Sequence, residues 1–272
     1  MPTTMSSTTQ RMDSALVATW IQAIFYGLFV ALFLGSYSAG ALLPKHHDTG
    51  TSSRSVISGR VLLAVTVTAH FVYSLQRFRE AFFLFNGRAA PFEIYSEYFR
   101  ETAIWQNGFL LATVLVADLV LIRRLWRVRV AKRWLIASVI SFLSLIICGG
   151  RAVHSFTLPG ADTKLVAPWI IACGAFNVLT NILGGAALIL PAPRHERSIE
   201  LQTEGQITGP TSAVKYTDGA YLTSAWSVIL FSAYFWDIDM RFPLDVTPAV
   251  LGISNMIVHL QMELAGRHAD TT

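Results

Sequence analysis

A chain of 272 residues that is 53% hydrophobic and only 14% charged, with a positive mean hydropathy, is too apolar for a soluble domain of its size. The excess of only four positive charges gives no ground for a nucleic-acid partner. What remains is an integral membrane protein, since windows nearly free of charge recur at about the 20 residues that a helix needs to cross a bilayer.

Seven such windows follow one another. The first, "ALVATWIQAIFYGLFVALFLGSYSAGALL", has no charge between Asp13 and Lys45 and is too long for the apolar core of a signal peptide. The second begins near Ile57 and runs through "VLLAVTVTAHFVYSLQRF", with Arg60 snorkelling to the interface. The third covers about 102 to 124 and is interrupted only by Asp118. The fourth covers about 134 to 156, and the fifth lies between Lys164 and Arg194. The sixth and seventh cover about 219 to 236 and about 244 to 264. Breakers punctuate the ends: Pro44, Pro159, Gly160, Pro191, Pro193 and Pro243. Pro168 fits the first turn of the fifth helix, and Pro248 kinks the seventh or marks its start.

The expected architecture is all-α: a polytopic seven-transmembrane-helix bundle over 15–266, with short polar tails at 1–14 and 267–272 and no soluble domain. Cys148 and Cys173 fall within helices 4 and 5 and read as free thiols acting as small hydrophobes.

Charge sets the expected orientation. Thirteen Lys and Arg residues fall on the side holding the connections after helices 1, 3 and 5 and the C-terminus, against eight on the other side. The N-terminus is therefore expected outside and the C-terminus in the cytosol. Arg123, Arg124, Arg127, Arg129, Lys132 and Arg133 then form a basic block at the cytoplasmic exit of helix 3. The block is expected to contact anionic lipid headgroups, each residue contributing about 1 kcal/mol near the surface.

Ionisable and amide side chains inside spans cost a few kcal/mol on insertion scales, so they are expected to face the bundle or a water-filled cavity. Thr66, His70, Ser74 and Arg77 recur at intervals of four or three along helix 2. Asn177 and Asn181 share a face of helix 5 beside Gly184 and Gly185, where small residues let helices approach. Asn255, His259 and Glu263 repeat along helix 7. Asp118 has no suitable partner on its own helix, because Arg123 lies about 140° around the axis. Asp118 and His259 are expected at one depth, as an acid–imidazole pair across helices 3 and 7.

His70, Tyr73, Arg77, Asp118, Asn177, Asn181, Asn255 and His259 are thus candidate ligand-binding residues. Interhelical hydrogen bonding, at roughly 0.6 to 2 kcal/mol per contact, is the alternative reason for polar groups in these positions.

Taken together, "VTAHFVYSLQRF", "VLVADLVLIRRLW", "FNVLTN" and "TPAVLGISNMIVHLQMELAG" resemble the uncharacterised seven-helix integral membrane protein family of mushroom-forming (basidiomycete) fungi. The resemblance spans roughly residues 15 to 266, and the His of helix 2, the Asp followed by Arg and Trp at the inner end of helix 3 and the Asn of helix 5 that recur in that family correspond here to His70, Asp118, Arg123, Trp126 and Asn177. The chain departs from the family in Asp218-Gly219 ahead of helix 6, where Glu-Ser is common. It departs again in helix 7, with His259 and Gln261 where an Arg is common. The resemblance implies a fold and no activity.

No His-Glu-x-x-His, Cys-x-x-Cys, Gly-x-Ser-x-Gly or Gly-rich phosphate loop is present, so neither a cofactor nor a resident metal is expected and an enzyme is disfavoured. A multi-pass protein of the plasma membrane or endomembrane system is expected, sensing a small-molecule ligand as a receptor does. A ligand-free scaffold is the alternative. A membrane-embedded metal-dependent hydrolase using His70, Asp118 and His259 is the weakest of the three.

Overall fold

The computed structural model describes residues 3–41, 51–83, 101–127, 132–157, 163–189 and 241–270, together with 223, 225, 226, 228, 229 and 232. Among the described residues the regular elements are six helices: α1 Thr3–Ala41, α2 Thr51–Phe82, α3 Glu101–Arg127, α4 Lys132–Thr157, α5 Thr163–Ile189 and α6 Arg241–Asp270. Thr223, Ala225, Trp226, Val228, Ile229 and Ser232 are helical as well. The rest of the expected sixth span, Asp218 and Gly219, and Arg129 of the basic block lie outside the described residues.

Among the described residues four spans are long and apolar enough to cross a bilayer: Leu16–Ser38, Ser58–Phe82, Glu101–Arg123 and Leu135–Ser155. Ile171–Gly184 and Leu244–Val258 are shorter apolar stretches. These spans, by length and composition, mark the chain as a membrane protein.

The distribution of side chains agrees. On α4, Ile136, Ile140, Leu143 and Ile147 form an exposed apolar stripe at helical spacing, while Ser138, Ser141, Leu145, Cys148 and Ala152 form the buried one. On α1, Val17, Trp20, Ile24 and Leu28 are exposed, while Ala18, Gln22, Phe29 and Ser36 are buried. Apolar outside with polar and small residues inside suits hydrocarbon surroundings and would be unstable as a water-facing surface.

Helix ends extend past the expected limits. α1 begins at Thr3 and α6 runs to Asp270, so much of both expected tails is helical. α5 begins at Thr163, which puts Pro168 in its second turn; α6 begins at Arg241 and runs through Pro248. Each proline lacks the N–H that would reach the carbonyl four residues back, a loss that an interior position does not hide.

α3 is the hub, packing against α2, α4, α5 and α6. Two apolar clusters flank it. Phe29, Leu63, Val67, Ile253 and Met256 join α1, α2 and α6, with Val116 of α3 packed against them. Val114, Ala117, Leu145 and Leu251 join α3, α4 and α6, with Cys173 and Phe176 of α5 at the edge.

Glycines fix the registers, because each receives a side chain from the neighbouring helix. A Cβ at Gly252 would lie 2.6 Å from Phe29 of α1, and one at Gly184 would lie 2.6 Å from Leu121 of α3. A Cβ at Gly149 would lie 2.7 Å from Leu111, and one at Gly59 would lie 3.3 Å from Val120. Without a hydrophobic driving force between helices in lipid, such close fits supply the dispersion contacts that hold them.

Candidate functional site

The expected stripe on α2 is buried as a unit, since Thr66, His70, Ser74 and Arg77 all face the interior. His70, Ser74 and Arg77 find partners on α1 and α3, and α6 joins through the α3 partner. Ser74 Oγ donates to Gln22 Oε1 of α1 at 2.6 Å, and Gln22 Nε2 donates to His70 Nδ1 at 3.4 Å. One amide thus satisfies a hydroxyl through its oxygen and an imidazole through its nitrogen.

Further along α2, Arg77 Nη1 donates to Gln106 Oε1 of α3 at 3.2 Å, and Gln106 Nε2 donates to Asp245 Oδ1 of α6 at 2.6 Å. The amide dipole of Gln106 is therefore oriented with its oxygen toward the cation and its nitrogen toward the anion, which strengthens both bonds. Thr102 Oγ1 donates to Glu80 Oε2 at 3.4 Å beside them. Tyr73, half-buried, stacks on Phe109 at 5.5 Å and Trp105 at 6.3 Å between ring centroids.

These groups share one end of the bundle: the C-terminal half of α2 and the first turns of α3 and α6. They form a polar seam through four helices. The sequence pointed to His70, Tyr73 and Arg77 but missed Gln22, Gln106 and Asp245. Gln22 is a lone amide in an apolar run, and Gln106 and Asp245 lie close to helix starts, where polar residues are ordinary. A glutamine within 20 residues of charge-free sequence was the available signal.

Asp118 belongs elsewhere. It lies four residues after Val114 and three before Leu121, on the face of α3 that meets α4 and α5. Gln106, which meets α6, is about 120° away around α3. The contact of Leu121 with Gly184 sets Asp118 level with Asn181, and that of Leu111 with Gly149 sets it level with Phe142. Asp118 is 2% exposed, and its Oδ2 accepts no hydrogen bond.

The side chain of His259 lies outside the described residues, so the expected pair is not on view. The register of Gln106 with Asp245 does set Asp118 level with Ile257, two positions before His259. Asp118 and the backbone of α6 at 259 are therefore close in depth, and Asp118 stands on the side of α3 that carries Leu111 and Leu121.

Asn177 and Asn181 are buried on α5, where Asn181 Nδ2 donates to the carbonyl of Asn177 at 2.8 Å and to its Oδ1 at 3.0 Å. Asn255 is buried on α6 and donates to the carbonyl of Leu251 at 3.0 Å. The candidate residues thus divide between the seam (His70, Tyr73, Arg77), the α3–α4–α5 junction (Asp118, Asn177, Asn181) and α6 (Asn255).

Of the three-ligand metal centre weighed on His70, Asp118 and His259, the described side chains are His70 and Asp118. His70 is engaged by Gln22, and the α2–α3 register places it on the order of 10 Å from Asp118 along the bundle. Cys148 and Cys173 are free thiols.

At the other end of α3, Arg123 and Trp126 are exposed beside buried Leu125. An exposed indole next to a guanidinium at a helix end is the arrangement of a membrane–water interface. Arg124 and Arg127 continue this end of α3, and Lys132 and Arg133 open α4.

Comparison with family models, curated proteins and solved structures finds no match to this chain. The functional reading therefore rests on the geometry.

Proposed function

We propose that this is a seven-helix, receptor-like membrane protein that senses a small polar ligand at the α1–α2–α3–α6 seam. The observation that carries the proposal is the run of buried hydrogen bonds Ser74–Gln22–His70 and Arg77–Gln106–Asp245, which joins four helices through side chains rather than backbone. A ligand that offers its own donors and acceptors there exchanges bonds with the helices and changes how they pack, which is the differential interaction a two-state sensor requires.

The seventh helix of this reading is the one expected over 219–236. It is supported by the helical residues from Thr223 to Ser232 and by Trp226, whose Nε1 donates to Thr247 Oγ1 of α6 at 3.0 Å. Thr223 also shares a hydrogen bond with Ser254. The orientation follows the charge count, with the seam in the outer half of the bundle and Arg123 to Arg133 at the cytosolic headgroups. Placement in the fungal seven-helix family is part of the same proposal, supported by buried His70, Asp118 and Asn177 and by exposed Arg123 and Trp126.

The short bonds of 2.6 Å to Gln22 and to Asp245 favour a second reading, a scaffold whose polar groups only hold helices together. A thermal-shift screen of the purified protein against lipids, sterols and small volatile compounds separates the two. Sensing requires a compound whose stabilisation disappears in His70→Leu and Gln106→Leu. Stabilisation that survives both substitutions places binding elsewhere and overturns the proposal. A panel without effect, combined with a Gln22→Leu variant clearly less stable than the parent, supports the scaffold.

A further inference from the structure

We infer that the α3–α4–α5 junction is a binding site for a small monovalent cation of the sodium class, with Asp118 as its anionic ligand. The site is separate from the seam, on another face of α3 and nearer its other end.

Five polar side chains come within one turn of the level of Asp118. The α3–α5 register brings Asn177, Thr180 and Asn181, and the α3–α4 register brings Ser138 and Ser141. All five are buried. Thr180 and Ser141 join the helices: Thr180 Oγ1 lies 2.8 Å from Ser141 Oγ, and both hydroxyls reach the carbonyl of Phe176, at 2.9 and 3.0 Å. Ser141 donates its proton to that carbonyl and Thr180 donates its own to Ser141 Oγ or to the same carbonyl, so their remaining lone pairs are the groups offered to the junction.

Among the described residues of the junction two buried atoms have no hydrogen-bond partner, Asp118 Oδ2 and Ser138 Oγ, on residues 2% and 0% exposed. A carboxylate oxygen in hydrocarbon surroundings without donor or counter-charge costs several kcal/mol, and the neighbouring groups are oxygen-rich rather than cationic. A cation is what that set accepts.

The donors decide which cation. Hydroxyl, amide and carboxylate oxygens are hard ligands, which exclude the softer metals that Cys and His select. Among the described residues of the junction there is one carboxylate, so a monovalent ion leaves the buried site neutral while a divalent ion leaves it with a net charge. Asp118 supplies the charge, and Ser141, Thr180 and Asn177 supply neutral oxygens.

The test measures thermal unfolding of the full chain in detergent across a NaCl series, held at constant ionic strength with choline chloride. Sodium should raise the Tm of the parent in a saturable way, and Asp118→Asn should abolish that rise. Thr180→Val should raise the half-saturating sodium concentration roughly tenfold relative to the parent. If Asp118→Asn does not fold, radioactive sodium binding to the parent and to Thr180→Val decides, with saturable binding near one ion per chain expected for the parent. A parent Tm that is equal in sodium and choline, a sodium-dependent rise retained in Asp118→Asn, or a rise produced by calcium and not by sodium would each overturn the assignment.

Discussion

Gln106 and Asp245 are 139 positions apart in sequence and 2.6 Å apart at their side-chain tips, which ties the first turns of α3 and α6 together. Gln106→Leu removes the donor to Asp245 and the acceptor of Arg77 at once. It is expected to destabilise the protein by about 1 to 3 kcal/mol, because buried Arg77 and half-buried Asp245 each lose one hydrogen bond. Reversible unfolding in mixed micelles measures it, with Leu119→Ala on the exposed face as a control of small effect. A loss equal to the control's would mean that the seam is not structural in the membrane.

Gly252 faces Phe29 so closely that an added methyl would sit 2.6 Å from the ring. Gly252→Ala should cost about 1 to 3 kcal/mol by overpacking, and Phe29→Leu in the same chain should recover part of it. A double variant no more stable than the sum of the single effects would show that α1 and α6 do not meet at this pair.

Replacing Arg123, Arg124, Arg127, Arg129, Lys132 and Arg133 by Gln should weaken or invert the orientation of the chain and reduce binding to anionic vesicles. A reporter fused after Thr272 reads the first effect and a vesicle flotation assay the second. Unchanged location together with unchanged lipid binding removes the role given to the block.

The effects of Asp118→Asn and His259→Leu on stability should add within about 0.5 kcal/mol, since the α3 side chains packed with α6 are Gln106, Val114, Val116 and Ala117, while Asp118 stands on the side of Leu111 and Leu121, which meet α4 and α5. A larger coupling in the double variant would establish the acid–imidazole pair expected from depth alone.

The parts of this molecule that sequence made legible were periodic. Thr66, His70, Ser74 and Arg77 stand at helical intervals, and a stripe of that kind can face only one way in hydrocarbon, so its burial followed from spacing. Asp118 was legible for the same reason, as a charge with nowhere else to go. The partners were not legible. Gln22 has no periodic companion, and its use by both His70 and Ser74 depends on how α1 lies against α2, which spacing within either helix does not encode. The oxygens of Ser141 and Thr180 were hidden because such residues commonly satisfy themselves on their own helix, and only the α4–α5 contact shows them paired. The direction of Asp118 was hidden as well: depth follows from counting residues, but azimuth follows from which neighbours surround α3.

The position of α3 among four helices also bears on how the protein is made. Helices enter the membrane in the order of synthesis, so α3 arrives when α2 is present and α4, α5 and α6 are not. Arg77 can meet Gln106 at that moment, while Asp118 faces lipid or the insertion machinery until α4 and α5 follow. An Asp costs about 2.5 to 3.5 kcal/mol at the centre of a span on insertion scales and less toward the end where Asp118 lies, set against the favourable Leu, Val and Ile residues of the same span. A nascent chain halted after Arg127 therefore carries an uncovered carboxylate in the bilayer, a feature by which cellular quality control can tell an unfinished chain from a completed one.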